Sequence, residues 1–307
     1  MSEPRDATGA PLRCGFVALL GAPNAGKSTL LNSLVGAKVS IVTRKVQTTR
    51  TRLRGIAVDG ASQIVFVDTP GIFAPKRRLE RAMVAAAWSG ARDADVIALV
   101  FDASHRRIDP DSRLIVDGLK NLGRSAILVL NKIDLVKRPR LLELAAAFEA
   151  EGVFDRIFMI SALTGDGVDD LLAFLAAAMP EGPWHYPADQ LSDLPLRLVA
   201  AEATREKLFE RLHQELPYAL TVETERWQDF EDGSVKIEQT IYVQRDTQKA
   251  IILGKSGRSI KEIRKEAQEE LEELLERKVH LFLFVKVRRD WIEDPERYRH
   301  WGLDFEV

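Results

Sequence analysis

Apolar positions along the chain fall into two regimes that change near residue 180. In the first, short apolar runs stand without a polar partner: FVALL at 16–20, IVFV at 64–67, AILVL at 126–130, and a run ending at Met159 and Ile160. Runs of that length, closed by Gly, Pro or Asx residues, predict strands buried on both faces in an α/β sheet. Amphipathic patterns follow, one starting near Lys27 and one ending in DDLLAFLAAAMP. In the second regime a helical pattern over roughly 196–215 precedes two alternating runs, YALTVETERW and VKIEQTIYVQR, with EDGS between them. Alternation about such a turn predicts antiparallel strands. A short helix near 247–252, a loop at 254–257, a helix with Ile260, Ile263, Ala267, Leu271 and Leu274 on one stripe, and a last strand, KVHLFLFVKVR, complete the pattern. Between the regimes, EGPWHYPADQLSDLP at 181–195 is proline-rich and aperiodic, which predicts a linker.

A length of 307 residues favours two domains. Apolar residues make up 46% and charged residues 29%, excluding wholesale disorder. The net charge is −2, so any affinity for a polyanion must come from local patches. One cysteine, Cys14, forms no internal disulfide, as expected of a reducing cytoplasm. Residues 1–14 carry no apolar signal core, and no apolar run reaches the length of a membrane span. A peripheral contact at the inner face of a cell membrane stays open.

The candidate chemistry begins at Gly21, Ala22, Pro23, Asn24, Ala25, Gly26, Lys27 and Ser28, followed by Thr29. This G-x-x-x-x-G-K-[ST] pattern sits between a strand and a helix, where backbone N–H groups wrap phosphates, Lys27 reaches the β- and γ-phosphates and Ser28 can ligate Mg²⁺. Asp68, Thr69, Pro70 and Gly71 end the next buried run. Asp68 suits Mg²⁺ through water, and the Gly71 N–H suits a γ-phosphate whose loss would release the loop. Asn131, Lys132 and Asp134 end another run, with the carboxylate matched to the two N–H donors of guanine. Ser161, Ala162 and Leu163 close the set, suited to giving a backbone N–H to the guanine carbonyl. Ile72 stands where a glutamine would orient water, so intrinsic hydrolysis of GTP to GDP and phosphate should be slow. The segment 40–56 is the expected first switch. It carries five basic residues from Arg44 to Arg54 and no acidic one.

A second Gly-Lys-Ser, in Gly254, Lys255, Ser256 and Gly257, follows a helix rather than a strand and has two residues between its glycines. That spacing fits the nucleic-acid loop of a KH domain, with Arg258, Lys261, Arg264 and Lys265 supplying positive charge.

These elements together resemble the Era family of bacterial ribosome-assembly GTPases over nearly the whole chain. The resemblance implies an α/β P-loop GTPase domain followed by an α+β type II KH domain. The boundaries are a flexible tail at 1–12, the GTPase domain at 13–180, the linker, the KH domain at 196–290 and a C-terminal tail at 291–307. It further implies binding of the 3′ end of 16S ribosomal RNA and a part in assembly of the 30S subunit, with the GTP state controlling the KH domain. Thr49, the second threonine of the TTR motif, is the expected third Mg²⁺ ligand. In some relatives the asparagine at the position of Asn24 helps hold K⁺ beside the phosphates; the alternative is a purely structural role in the turn. One departure is Val46, where relatives usually have proline. Two alternatives remain at this point. A tRNA-modification GTPase shares the Asn-containing loop but has its G-domain inserted in a helical domain and a terminal cysteine. A membrane-peripheral cell-cycle switch would use the KH fold for protein docking.

Overall fold

A computed structural model describes residues 11–43, 53–212 and 216–307. Residues 44–52 of the expected first switch, Thr49 included, and most of the 1–12 tail lie outside them, while residues 53–56 of that segment begin a strand. The described chain divides into two folded units, residues 11–40, 53–193 and 298–307 in one, and 41–43, 194–212 and 216–297 in the other.

The first unit runs β1 (Arg13–Leu20), α1 (Lys27–Val35), β2 (Leu53–Asp59), β3 (Ser62–Asp68), α2 (Arg78–Asp93), β4 (Val96–Asp102), α3 (Pro110–Leu122), β5 (Ala126–Asn131), α4 (Arg138–Glu149), β6 (Phe154–Met159) and α5 (Val168–Ala178). Its sheet has the order β2-β3-β1-β4-β5-β6, with β2 antiparallel to β3 and the other neighbours parallel. The uninterrupted apolar runs are the central strands, since helices on both faces leave them no polar side. Phe148 sits in this core with edge contacts to Phe101 at 4.8 Å and Phe154 at 5.6 Å. Because the strands are parallel, the loops after β1, β3, β4, β5 and β6 all leave from one edge, where ligands of open α/β sheets bind.

The segment expected to be a free linker is instead strapped along the edge of this sheet. Gly182 N–H donates to the Leu12 carbonyl and Ile56 N–H to the Leu191 carbonyl, while the Gln63 amide oxygen accepts from His185 and Tyr186 N–H. An Arg54–Asp193 ion pair at 3.2 Å ties its far end. The binding uses backbone groups and the edge of β2, so no apolar periodicity records it; covering that edge also protects it from pairing elsewhere.

The second unit runs α6 (Leu196–Arg211), β7 (Leu220–Asp229), β8 (Val235–Val243), α7 (Asp246–Leu253), α8 (Arg258–Leu275) and β9 (Val279–Val287). Its sheet order is β7-β8-β9, the first pair antiparallel and the second parallel. Ile263, Ala267 and Leu271 of the expected stripe are buried, and Ile260 and Leu274 pack at its margins. One face of the sheet is thus sealed by helices, as the helix-strand-strand-helix-helix-strand order requires.

Residues 291–307 are not a trailing tail. Trp291 is buried in the second unit, and the Arg297 guanidinium lies 4.4 Å from the Tyr242 ring centre and bonds Glu223 at 2.5 Å. Within α9 (Pro295–His300), buried Tyr298 meets Phe305 edge-on at 5.0 Å, and Arg78 of α2 stacks on Phe305 at 4.4 Å. Aromatic and arginine contacts hold this end without a regular repeat, which is why its sequence reads as irregular. Trp291→Ala is expected to cost about 3–5 kcal/mol of stability, the range for emptying a buried tryptophan site. Denaturant unfolding checks it, and an unchanged midpoint would restore the tail.

Candidate nucleotide site

The turn after β1 is set by backbone conformations that few residues accept. Gly26 has φ 94°, and a Cβ there would lie 2.3 Å from the Asn131 amide nitrogen. Asn24 sits at φ 62°, left-handed space that its short polar side chain tolerates. Helix α1 then starts at Lys27, directing its first N–H groups back toward the turn.

Lys27 is buried, and its Nζ donates to the carbonyls of Gly21 and Ala22, both at 3.1 Å. Burial lowers its pKa from the ordinary lysine value to about 8, with the Asp68 charge opposing part of that fall. Asp68, at the end of β3, is fully buried, and its Oδ2 accepts from the Ser28 hydroxyl at 2.8 Å and the Ser40 hydroxyl at 3.2 Å. Three hard oxygens therefore meet at one point, a donor set suited to Mg²⁺ and poorly suited to softer metals. Ser40 went unrecognised as a site residue because one serine in a loop has no pattern.

The DTPG segment lies against the phosphate loop. The Thr69 hydroxyl donates to the Leu19 carbonyl at 2.7 Å, so this side chain ties β3 to β1. Gly71 lies so close to Pro23 that a Cβ would approach its nitrogen to 2.9 Å. Ile72 N–H donates to the Gly21 carbonyl at 3.1 Å, and its side chain is buried in the sheet's core.

On the base side, Asn131 is 2% exposed and fully engaged. Its amide donates to the Ala25 carbonyl at 2.9 Å, and its oxygen accepts from Lys132 N–H at 2.8 Å and Ala162 N–H at 2.9 Å. The Ala162 N–H is thus committed to Asn131. Ser161 is buried, its hydroxyl accepting from Thr164 N–H, and Leu163 is exposed. Asp134 is exposed at the rim. Lys132, at φ 64°, donates to the Asn24 carbonyl at 2.8 Å and pairs closely with Asp102 at the end of β4. Asp102 was also missed by sequence reasoning. Burial works against its charge, but bonds from Lys132 and from the Ser104 hydroxyl and N–H outweigh burial and hold its pKa below the ordinary carboxylate value. The only signal for it was an acidic residue at a strand's carboxyl end.

The low Lys27 pKa has a definite consequence for stability. Below about pH 8 the lysine is charged in both folded and unfolded chains; above it the folded chain loses the proton while the unfolded chain keeps it. Stability contributed through Lys27 should therefore rise with pH from about 8 toward 10.5. Lys27→Met is expected to abolish that rise, which unfolding curves across the window would reveal.

Two family models match: a 50S ribosome-binding GTPase over residues 16–132 and a KH domain over 215–292. The chain is 63% identical to GTPase Era of Rhizobium meliloti over 96% of this chain and 94% of the relative, and 62% identical to that of Agrobacterium fabrum over 96% and 93%. A crystal structure of Era in complex with MgGDPNP and nucleotides 1506–1542 of 16S ribosomal RNA superposes with a TM-score of 0.89 at 39% identity, covering 95% of this chain and 99% of that one. A single-residue variant of Aquifex aeolicus Era bound to GDP and AlF4⁻ gives the same score and coverage. With one loop set built for a nucleotide and a following KH fold, at this identity over almost its full length, the chain belongs to the Era family of GTPases.

Proposed function

We propose that the chain is a GTP-hydrolysing switch that binds the 3′ end of 16S ribosomal RNA through its KH domain and assists assembly of the 30S subunit. The observation that carries the nucleotide half is the Asn131–Ala25 bond, which fixes the base loop to the phosphate loop so that one ligand with a guanine and phosphates spans both. In this reading Lys27 leaves the Gly21 and Ala22 carbonyls for the β- and γ-phosphates, whose charge raises its pKa back toward the ordinary lysine value. Ser28 and Asp68, with Thr49, would hold Mg²⁺, which neutralises phosphate charge when bound. Asp134 accepts from the guanine, while Asp102 holds the Lys132 stem in place beside it. The Gly71 N–H reports the γ-phosphate. Because the Ile72 side chain is committed to the core, no residue at that position orients water, and the basal rate is slow. Asn24 contributes to holding K⁺ in this scheme, and equal hydrolysis rates in Na⁺ and K⁺ buffers would remove that part alone.

The RNA half rests on the loop between α7 and α8. Gly254 has φ 69° and ψ 178°, and a Cβ there would press on Ser259 Cβ at 2.7 Å. Gly257 and Ser256 also have positive φ, 73° and 54°. The tip is therefore narrow, with Lys255, Ser256, Arg258 and Lys261 exposed around it. Arg211 engages Glu262 at 2.7 Å and also bonds Glu266, neutralising the nearest acids of α8. Such a loop clamps the backbone of about four nucleotides.

Asp134→Asn is expected to weaken GTP binding roughly a thousandfold or more, as hydrogen-bond-based selection allows, and to favour xanthosine triphosphate. Competition among GTP, ATP and XTP measures it; a wild type that binds ATP as well as GTP sinks the guanine assignment. Lys255→Asp with Ser256→Asp keeps both glycines and places two anions at the loop, with aspartate suited to the left-handed position 256. RNA affinity should fall sharply, and the log–log salt slope should flatten by about 0.7 for each phosphate the loop ceases to neutralise. Basal GTP hydrolysis should persist, since the loop belongs to a different folded unit. Undiminished RNA binding by a folded variant would remove the loop from the mechanism.

A further inference from the structure

The face of β9 turned away from α7 and α8 carries a row of aromatic side chains that the G-x-x-G loop does not use. Leu281, Leu283 and Val285 turn toward the helices, so His280, Phe282, Phe284 and Lys286 share the other face. Phe282 is 45% exposed and Phe284 49%. Phe230, in the turn joining β7 to β8, is 40% exposed and meets the His280 ring edge-on at 6.3 Å, extending the row. Elsewhere on this face Thr240 is buried and Arg297 covers Tyr242, while the exposed residues that β7 adds, Arg226 and Gln228, are polar, so the exposed rings lie in this strip.

Cations are interleaved with the rings. Lys236 lies 5.2 Å from the Phe282 ring centre, and exposed Lys278 and Lys286 flank the strip at either end. The nearest carboxylate on β8, Glu238, is paired with Lys236 at 2.5 Å, and Asp232 is occupied by Ser234. Alternate residues of a strand are about 6.6 Å apart. That is close to twice the roughly 3.4 Å repeat of stacked bases, so successive rings can each take one base. Exposed aromatic rings with interspersed lysines make up a stacking platform for single-stranded nucleic acid, whereas protein-docking patches are depleted in lysine.

We infer that the outer face of β9, through Phe282 and Phe284 with Lys236 and Lys286, is a second RNA-binding surface that stacks bases of the strand beyond those clamped at Gly254–Gly257. The inference rests on the RNA reading above. Its scale agrees with it: the RNA in the related complex runs over nucleotides 1506–1542, far more than the roughly four a KH loop clamps. Ile252 of α7 and Val285 of β9 share one core, so the loop's helix borders this edge strand, and RNA leaving the loop reaches the outer face by crossing β9 alone.

The test compares two RNA probes: a single strand of about four nucleotides, the length the loop clamps, and the whole 1506–1542 segment. Phe282→Ser with Phe284→Ser changes exposed side chains only, and circular dichroism and the unfolding midpoint establish its folding. The variant is expected to bind the short probe as the wild type does and the long probe roughly tenfold more weakly or worse, given the usual effect of removing a stacking ring. The salt slope should stay the same, because no charge is removed; Lys286→Glu should flatten it. As an independent readout, a Phe284→Trp variant should lose fluorescence on adding the long probe. Unchanged affinity for the long probe, with no change in fluorescence, overturns the second surface while leaving the loop in place. Retained RNA affinity with weakened binding of a ribosomal protein overturns RNA as its occupant. Failure of the wild type to bind either probe overturns the RNA reading itself, and this surface with it.

Discussion

Asn131 is the joint on which the nucleotide site depends. Its side chain has one donor group and one acceptor, and both meet backbone: out to Ala25 in the phosphate loop on one side, and in from Lys132 of its own loop and Ala162 of the loop after β6 on the other. A buried amide so placed costs little, because its bonds are made, and removing it would leave three backbone groups to find new partners. The strands supply the frame, since parallel β1, β5 and β6 bring their following loops to one edge. Close approach there excludes a Cβ at Gly26, so glycine at that position follows from the asparagine as much as from any phosphate. Phosphate loop and base loop are thereby one object, so a nucleotide whose base sits at one has the place of its phosphates fixed at the other.

The same constraint governs what the site leaves out. Ile72 follows Gly71, but its backbone bonds Gly21 and its side chain belongs to the same buried core as Leu20 and Leu99. Rotating such a residue toward the phosphates would abandon a buried apolar contact for a group with no hydrogen bond to offer. The chemistry therefore leans on fixed charges, Lys27 above all, whose depressed pKa marks the cost of holding an amine in this pocket before an anion arrives.

Much of this was legible in the chain. Buried parallel strands write themselves as unbroken apolar runs, and phosphate and guanine contacts need particular residues at fixed offsets, so the α/β domain and its motif residues could be read directly. The KH order followed from the change of period. What escaped reading were contacts made by single residues across long separations: Ser40 and Asp102, whose partners lie 28 and 30 residues away. The strap at 182–193 escaped too, because strand-edge hydrogen bonds leave no mark on side-chain pattern. The C-terminal segment misled for a related reason. Its Trp291, Tyr298 and Phe305 are anchored individually, with no helical or strand repeat to announce burial.

The tripeptide Gly-Lys-Ser occurs twice, and the two copies show how little a tripeptide settles. In the first, a buried strand delivers the chain into a turn, the lysine starts a helix and is 7% exposed, and its charge is aimed inward. In the second, a helix ends on the glycine, the serine adopts a left-handed conformation, and the lysine stands in solvent at a narrow tip. An inward lysine on a helix N-terminus meets a compact, multiply charged phosphate group. An outward one beside two glycines meets an extended backbone that must lie close to the protein along its length. The element before the glycine decides between them, because it fixes which way the first free N–H groups face, and the residue types then serve whichever anion that geometry admits.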